Sequence, residues 1–195
     1  NYLFDSNGYH GSRTDYYSRS NSYLNEVIDD REGIPITLSL LCIELARQIG
    51  LTLHGLPLPG HFVESYQQDG ERRIIDPFEG GTAMSHEDAD LLLRTAGIDT
   101  PVAKFPVATP PAIITRMLTN LKAIAIEERD FSSALAYVEV ALALAPEDAQ
   151  EHLSRALLHL QLGAPDRARP DLEWLLENEP ADIHLDRIRE LLERL

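Results

Sequence analysis

Apolar positions along the chain recur mostly at helical spacing and alternate only in one short central region. Leu24, Val27 and Ile28 predict a short helix, opened by N-cap oxygens from Asn21 or Ser22, with Gly33 either closing it or left outside it. Next, Leu38, Leu41, Cys42, Leu45 and Ile49 follow the 3.6-residue period, with Leu40 and Ile43 widening the stripe, which predicts a helix buried on most sides. Pro35 suits its first turn, where a fixed φ and a missing donor cost nothing, and Gly50 marks its end. Leu51 to Leu58 reads as a strand, Pro59-Gly60 as a turn, and His61 to Tyr66 as a second strand. Asp69-Gly70 is the two-residue loop of a hairpin returning through Ile75-Asp76-Pro77-Phe78. Ser85 with Asp88 three residues later predicts a capping box on a helix through Leu91, Leu92 and Leu93 to Gly97.

Two stretches lack this regularity. The first twenty residues are aperiodic yet carry Tyr2, Phe4, Tyr9, Tyr16 and Tyr17, which suits an ordered loop or a docked segment better than a free linker. Between Thr100 and Pro111 the prolines 101, 106, 110 and 111 cluster as a linker between two units, residues 1–105 and 106–195. Every segment beyond is helical, roughly 111–128, 131–145, 147–162, 165–178 and 182–195. Ala134 and Ala168, Pro146 and Pro180, and Asp148 and Asp182 are each 34 positions apart, the tetratricopeptide period. About two such repeats fit, with the final helix as a polar cap, and an array this short relies on another domain to cover an end.

The 195 residues, 44% of them apolar, suffice for one large or two small cores. Seventeen basic against 32 acidic side chains give a net charge of −15, which disfavours nucleic acid or an anionic membrane as partner. A single cysteine, Cys42, excludes an internal disulfide and fits a reducing compartment, and no apolar run reaches the length of a membrane span. With no signal peptide opening the chain, the expected location is cytoplasmic.

Candidate chemistry gathers in the hairpin. With the turn at Asp69-Gly70, Gln68 faces Glu71, and counting back sets Val63 opposite Asp76. Strand alternation gives His61 the same face as Val63, so His61 and Asp76 become diagonal neighbours, as suits a carboxylate orienting an imidazole. The same pair also serves a purely structural role when an aspartate accepts from a histidine to fix register. His54 and His86 stand at spacings from His61 that fit no metal-ligand pattern, and no cofactor motif is present. The pairs Asp29-Asp30 and Glu127-Glu128 read as solvated helix ends, and Trp174 as repeat core.

Asn21-Ser22-Tyr23-Leu24-Asn25-Glu26, Gly33-Ile34-Pro35-Ile36-Thr37, Leu58-Pro59-Gly60-His61-Phe62 and Ile75-Asp76-Pro77-Phe78 together closely resemble the bacterial SirB family. The resemblance runs from about Tyr2 to the C-terminus. It implies an α+β transglutaminase-like domain of the papain-like superfamily, with a small antiparallel sheet, followed by all-α tetratricopeptide repeats. It also implies a regulatory role and, in most members, further N-terminal helices. From the superfamily it implies a cysteine nucleophile at a helix N-terminus, a strand histidine as base, matched by His61, and an orienting aspartate, matched by Asp76. The cysteine ends a Gly-x-Cys tripeptide, and here that tripeptide is Gly33-Ile34-Pro35.

Proline supplies neither thiolate nor hydroxyl for covalent acyl transfer. Cys42 shares Pro35's face but lies roughly 10 Å further along the helix, among apolar neighbours. Thr37 points about 200° away from Pro35, and Ser39 lies within about 40° of its direction but a turn deeper. Three functions fit these residues. The first is a non-catalytic protein that binds a protein or peptide in the old cleft. The second is a hydrolase or acyltransferase using His61 and Asp76 without the usual cysteine, and the third is a scaffold that binds through the repeats alone. The missing thiol favours the first and third; the retained pair favours the first over the third.

Overall fold

The computed structural model describes residues 2–195, which separate into one unit ending at Met117 and another running from Leu118 to Leu195. The first unit contains β1 (His10–Gly11), α1 (Leu24–Asp30), β2 (Glu32–Gly33), α2 (Pro35–Gln48), β3 (His54–Leu56), β4 (Val63–Gln68), β5 (Glu71–Asp76), β6 (Thr82–Met84) and α3 (His86–Thr95). It closes with the start of α4 (Pro110–Glu127). β3 to β6 form an antiparallel sheet in chain order, while β1 and β2 pair in parallel, so the aromatic N-terminal stretch is anchored to the chain just before α2.

At the start of α2, the Thr37 hydroxyl accepts from the Ile34 amide at 3.1 Å and donates to the Asn21 carbonyl at 2.7 Å. At its end the Gly50 amide donates to the Arg47 carbonyl and the Leu51 amide to that of Ala46, a Schellman closure with Gly50 at φ +77°. The helix is enclosed on most sides only from Pro35 to Ser39. Beyond that point Cys42 and Ala46 are buried, whereas Leu45 and Ile49 are exposed. The apolar surface at 41, 45 and 49 is thus a second, outward stripe, because the second half of α2 lies over one face of β3 and β4. The cap expected from Asn21 or Ser22 is also absent: Tyr23 precedes α1, and the Asn21 amide donates instead to the Asp15 carbonyl at 2.6 Å.

The hairpin follows the predicted register. Gln68 pairs with Glu71 and Glu64 with Ile75, and Asp69 (φ 52°) and Gly70 (φ 82°) make a primed turn whose twist matches the strands. One face of the sheet packs Leu56, Val63 and Ile74 against Ala89, Leu93 and Val102. Val102 belongs to the stretch read from its prolines as a linker. Arg72 donates to the carbonyls of Val102 and Phe105, the Ala108 amide donates to the Gly55 carbonyl, and Ile113 joins Ile34, Ile36 and Phe62 in a second cluster. These prolines therefore shape a strap built into the first unit.

In the second unit, α4 is followed by α5 (Phe131–Leu144), α6 (Ala149–Gln161), α7 (Pro165–Asn178) and α8 (Leu185–Glu193). Ala134 and Ala168 are fully buried where neighbouring helices approach closely, in line with the 34-residue period. The period fails at the acidic cap. Asp148 accepts from the amides of Gln150 and Glu151, but its counterpart Asp182 accepts from the Gln150 side chain, and α8 begins only at Leu185. Between α6 and α7, Asp171 accepts from Arg155 at 2.6 and 2.8 Å and sits 2.7 Å from His152 Nδ1. The His152 ring stacks on Trp174 at 3.9 Å. Burial works to raise the Asp171 carboxyl, and the bonds from Arg155 and His152 outweigh it, holding that carboxyl below its ordinary range.

Candidate functional site

His61 reaches its position by a turn. Gly60 at φ +68° reverses the chain, the His61 amide donates to the Leu58 carbonyl at 3.1 Å, and β4 starts two residues later. Strand alternation is therefore not what aims its ring, yet the hairpin register still delivers Asp76 to it. His61 Nε2 stands 2.6 Å from Asp76 Oδ2, with 19% of the histidine and 6% of the aspartate side chain exposed. The other oxygen, Oδ1, accepts from the amides of Phe78 and Glu79 at 3.0 and 3.3 Å, so the same carboxylate holds both the imidazole and the turn after β5.

The ring of Phe78 stands edge-on to His61 at 6.3 Å and to Tyr16 at 6.0 Å, while the Arg13 guanidinium lies 5.6 Å from its centroid and pairs with Glu79 at 2.6 Å. Gly11 admits this ring: a Cβ there would meet Phe78 Cδ2 at 2.5 Å and its carbonyl oxygen at 2.7 Å. Arg116 donates to the His61 carbonyl at 2.9 Å and to that of Leu58 at 3.4 Å, with its guanidinium 5.6 Å from the Phe62 ring.

At the N-terminus of α2, Pro35 is the first helical residue and is buried. The nearby hydroxyls are committed inward: Thr37 to the Asn21 carbonyl, and Ser39, fully buried, to the Phe62 carbonyl at 3.4 Å. Cys42 is buried, and burial, followed by the neighbouring Glu64 carboxyl, pushes its thiol far above the usual range. Neither His54 nor His86 joins this group, since His54 pairs opposite Ser65 on β3 and His86 bonds the Arg72 carbonyl. Among the described residues no group of three or more histidine, cysteine, aspartate or glutamate side chains could hold a metal ion.

Four contributors went unread in the sequence: Tyr16, Glu64, Phe78 as a ring against His61, and Arg116. Glu64 is 1% exposed, and one of its oxygens has no hydrogen-bond partner among the described residues. Burial raises its carboxyl to about 8, the bond with Cys42 partly opposing and the charge of Asp76 adding to the rise. Alternation puts Glu64 on the face opposite Val63, which reads as solvent until α2 is known to cover it. Arg116 had no sequence signal, because it lies in a helix assigned to the repeats.

The family model of the transglutaminase-like superfamily matches residues 1–119, and that of the tetratricopeptide repeat residues 121–193. A UPF0162 protein of Xylella fastidiosa (strain 9a5c) is 34% identical over 194 residues, 96% of this chain and 69% of the relative. The chain belongs to the UPF0162 family, with a transglutaminase-like domain followed by tetratricopeptide repeats. A second UPF0162 protein, from Vibrio cholerae, is 30% identical over 181 residues, covering 90% of this chain and 66% of its own length. Human F-box only protein 21 is 29% identical over 172 residues, 83% of this chain but 27% of that protein. The chain thus spans about two thirds of its UPF0162 relatives and under a third of the F-box protein. No solved structure matches it.

Proposed function

We propose that this chain is a non-catalytic interaction protein whose transglutaminase-like cleft, beside His61 and Asp76, holds a peptide segment of a protein partner. The observation that carries this reading is the start of α2. Pro35 stands where the superfamily resemblance calls for the nucleophile, Thr37 and Ser39 are spent on main-chain carbonyls, and the Cys42 thiol is buried against Glu64. His61 and Asp76 stand 2.6 Å apart, and among the described residues no thiol or hydroxyl hydrogen-bonds the imidazole, which supports the non-catalytic reading. The tetratricopeptide repeats supply a second docking surface. The resemblance to the SirB family supports a regulatory role for this binding.

The test uses the full chain. Wild type, His61→Ala and Pro35→Cys are assayed against a panel of amide and ester substrates, and a displayed peptide library is selected on wild type. The expected result is no wild-type turnover, with selected peptides that lose binding to His61→Ala and Phe78→Ala. Wild-type turnover that disappears in His61→Ala overturns the non-catalytic reading in favour of a cysteine-free hydrolase or acyltransferase. Peptides indifferent to both substitutions overturn the cleft as the binding site and favour the repeats.

A further inference from the structure

His152 lies near the start of α6, only 7% exposed, and both nitrogens of its ring are engaged. Nδ1 stands 2.7 Å from Asp171 Oδ1 on α7, and Nε2 stands 2.8 Å from the carbonyl oxygen of Pro146 in the turn after α5. Neither contact supplies a hydrogen. A main-chain carbonyl only accepts. Burial works to raise the Asp171 carboxyl, but the bonds from Arg155 and His152 hold it low, so it too is an acceptor. A neutral imidazole has one N–H and one lone pair, so it satisfies one of these oxygens and turns its lone pair on the other. The imidazolium, protonated on both nitrogens, makes both bonds.

The surroundings suit that cation. The ring stacks on Trp174 of α7 at 3.9 Å and 15°, which puts its charge over an indole face. On α6, Arg155 is spent on Asp171, and Glu151 pairs with Lys122 of α4 at 2.6 Å. Arg167 of α7 and Glu139 of α5 act on the same cluster with opposite signs, Glu147 and Asp148 add negative charge on the turn that carries Pro146, and Asp182 accepts from Gln150. The other histidine of α6, His159, is lowered by its burial and then by the charge of Arg167, so it does not compete for the proton.

Loss of the proton has unequal effects on the two bonds. An N–H binds a carboxylate more strongly than a neutral carbonyl. The neutral ring therefore keeps Nδ1–H towards Asp171 and presents a lone pair to the Pro146 oxygen at 2.8 Å, which repels it. That turn holds the start of α6, because Asp148, two residues beyond Pro146, accepts from the amides of Gln150 and Glu151. We propose that His152 is a proton-operated latch: as the imidazolium it ties the α5–α6 turn at Pro146 to Asp171 on α7, and on deprotonation it releases the turn and loosens the first turn of α6.

The test is a titration of the isotope-labelled full chain from pH 5 to pH 9, and Trp174, the single tryptophan, gives it an optical readout. Nuclear magnetic resonance of the ring nitrogens shows His152 protonated on both at pH 5 and on Nδ1 alone at the upper end. Trp174 emission, quenched by the stacked imidazolium, rises with the same midpoint, and the Pro146 carbonyl and Glu147 amide signals shift with it. Hydrogen exchange at the Gln150 and Glu151 amides, corrected for its intrinsic pH dependence, becomes about fivefold faster once the hydrogen bond is gone. His159→Gln leaves all four changes in place. His152→Phe keeps an aromatic ring against Trp174 without either bond, and its turn signals sit near the wild-type high-pH positions at every pH. If that variant fails to fold, the wild-type titration decides. A His152 ring with a single proton at pH 5, a ring that keeps both protons through pH 9, or turn signals that do not follow its titration overturns the proposal.

Discussion

Gly11 and Phe78 touch so closely that the ring occupies the space a Cβ on Gly11 would need, 2.5 Å from Cδ2. Gly11→Ala should therefore push Phe78 away from His61 and Tyr16 and destabilise the chain by about 1–3 kcal/mol, the usual cost of overpacking. Chemical denaturation measures the loss, and the histidine ring signals report the displaced aromatic neighbour. An unchanged midpoint with unchanged His61 signals would contradict the contact.

Pro35→Cys puts a thiol at the first position of α2, where the helix N-terminus favours the thiolate and where, on the proposed reading, the His61 imidazole would add to the effect. It should alkylate near neutral pH at least about tenfold faster than Cys42 in the same molecule, with the rate reduced in the Pro35→Cys, His61→Ala double variant. Cys42, buried and with its thiol pushed upward, is the internal control. Mass spectrometry of alkylated peptides separates the two sites, and equal rates would mean that the cleft geometry has been lost.

Glu64 sets a pH dependence whose sign follows from its raised carboxyl, about 8 in the folded chain against 4.5 for an ordinary glutamate. Between those values the folded state holds a proton that the unfolded state has lost. Its contribution to stability is complete below about 4.5 and fades as pH rises towards 8. Glu64→Gln cannot ionise, so the variant should gain on wild type steadily from pH 5 to pH 8 in urea denaturation. A difference between the two that stays constant with pH would refute the buried, protonated glutamic acid.

In the second unit, Asp171→Ala leaves Arg155 and His152 without their shared acceptor. Breaking such a buried pair costs about 3–5 kcal/mol. Because the Asp171 carboxyl is held low, wild type should lose this contribution only as pH falls below the ordinary aspartate range. Thermal melts of wild type and variant from pH 3 to pH 7 should converge at the acid end.

Much of this architecture was legible because it rests on local rules. The Asp69-Gly70 turn fixed the hairpin register, and the 34-residue spacing located Ala134 and Ala168 at close helix contacts. What escaped depended on which surface another element covers. Glu64 looks solvated until α2 lies over it, Leu45 and Ile49 look buried until α2 proves to be covered on one side only, and the prolines of 101–111 look like a linker until Val102 is found in the core. The His61–Asp76 proximity follows from the hairpin register but not from strand alternation, because a turn rather than a strand presents the histidine.

The divided labour of Asp76 bears on what its presence means. One oxygen meets His61 and the other anchors the amides of Phe78 and Glu79, so substituting the aspartate would unravel a turn whether or not any reaction takes place nearby. Selection on folding alone is then enough to keep this acid in the chain, and its retention is not by itself the mark of a working site.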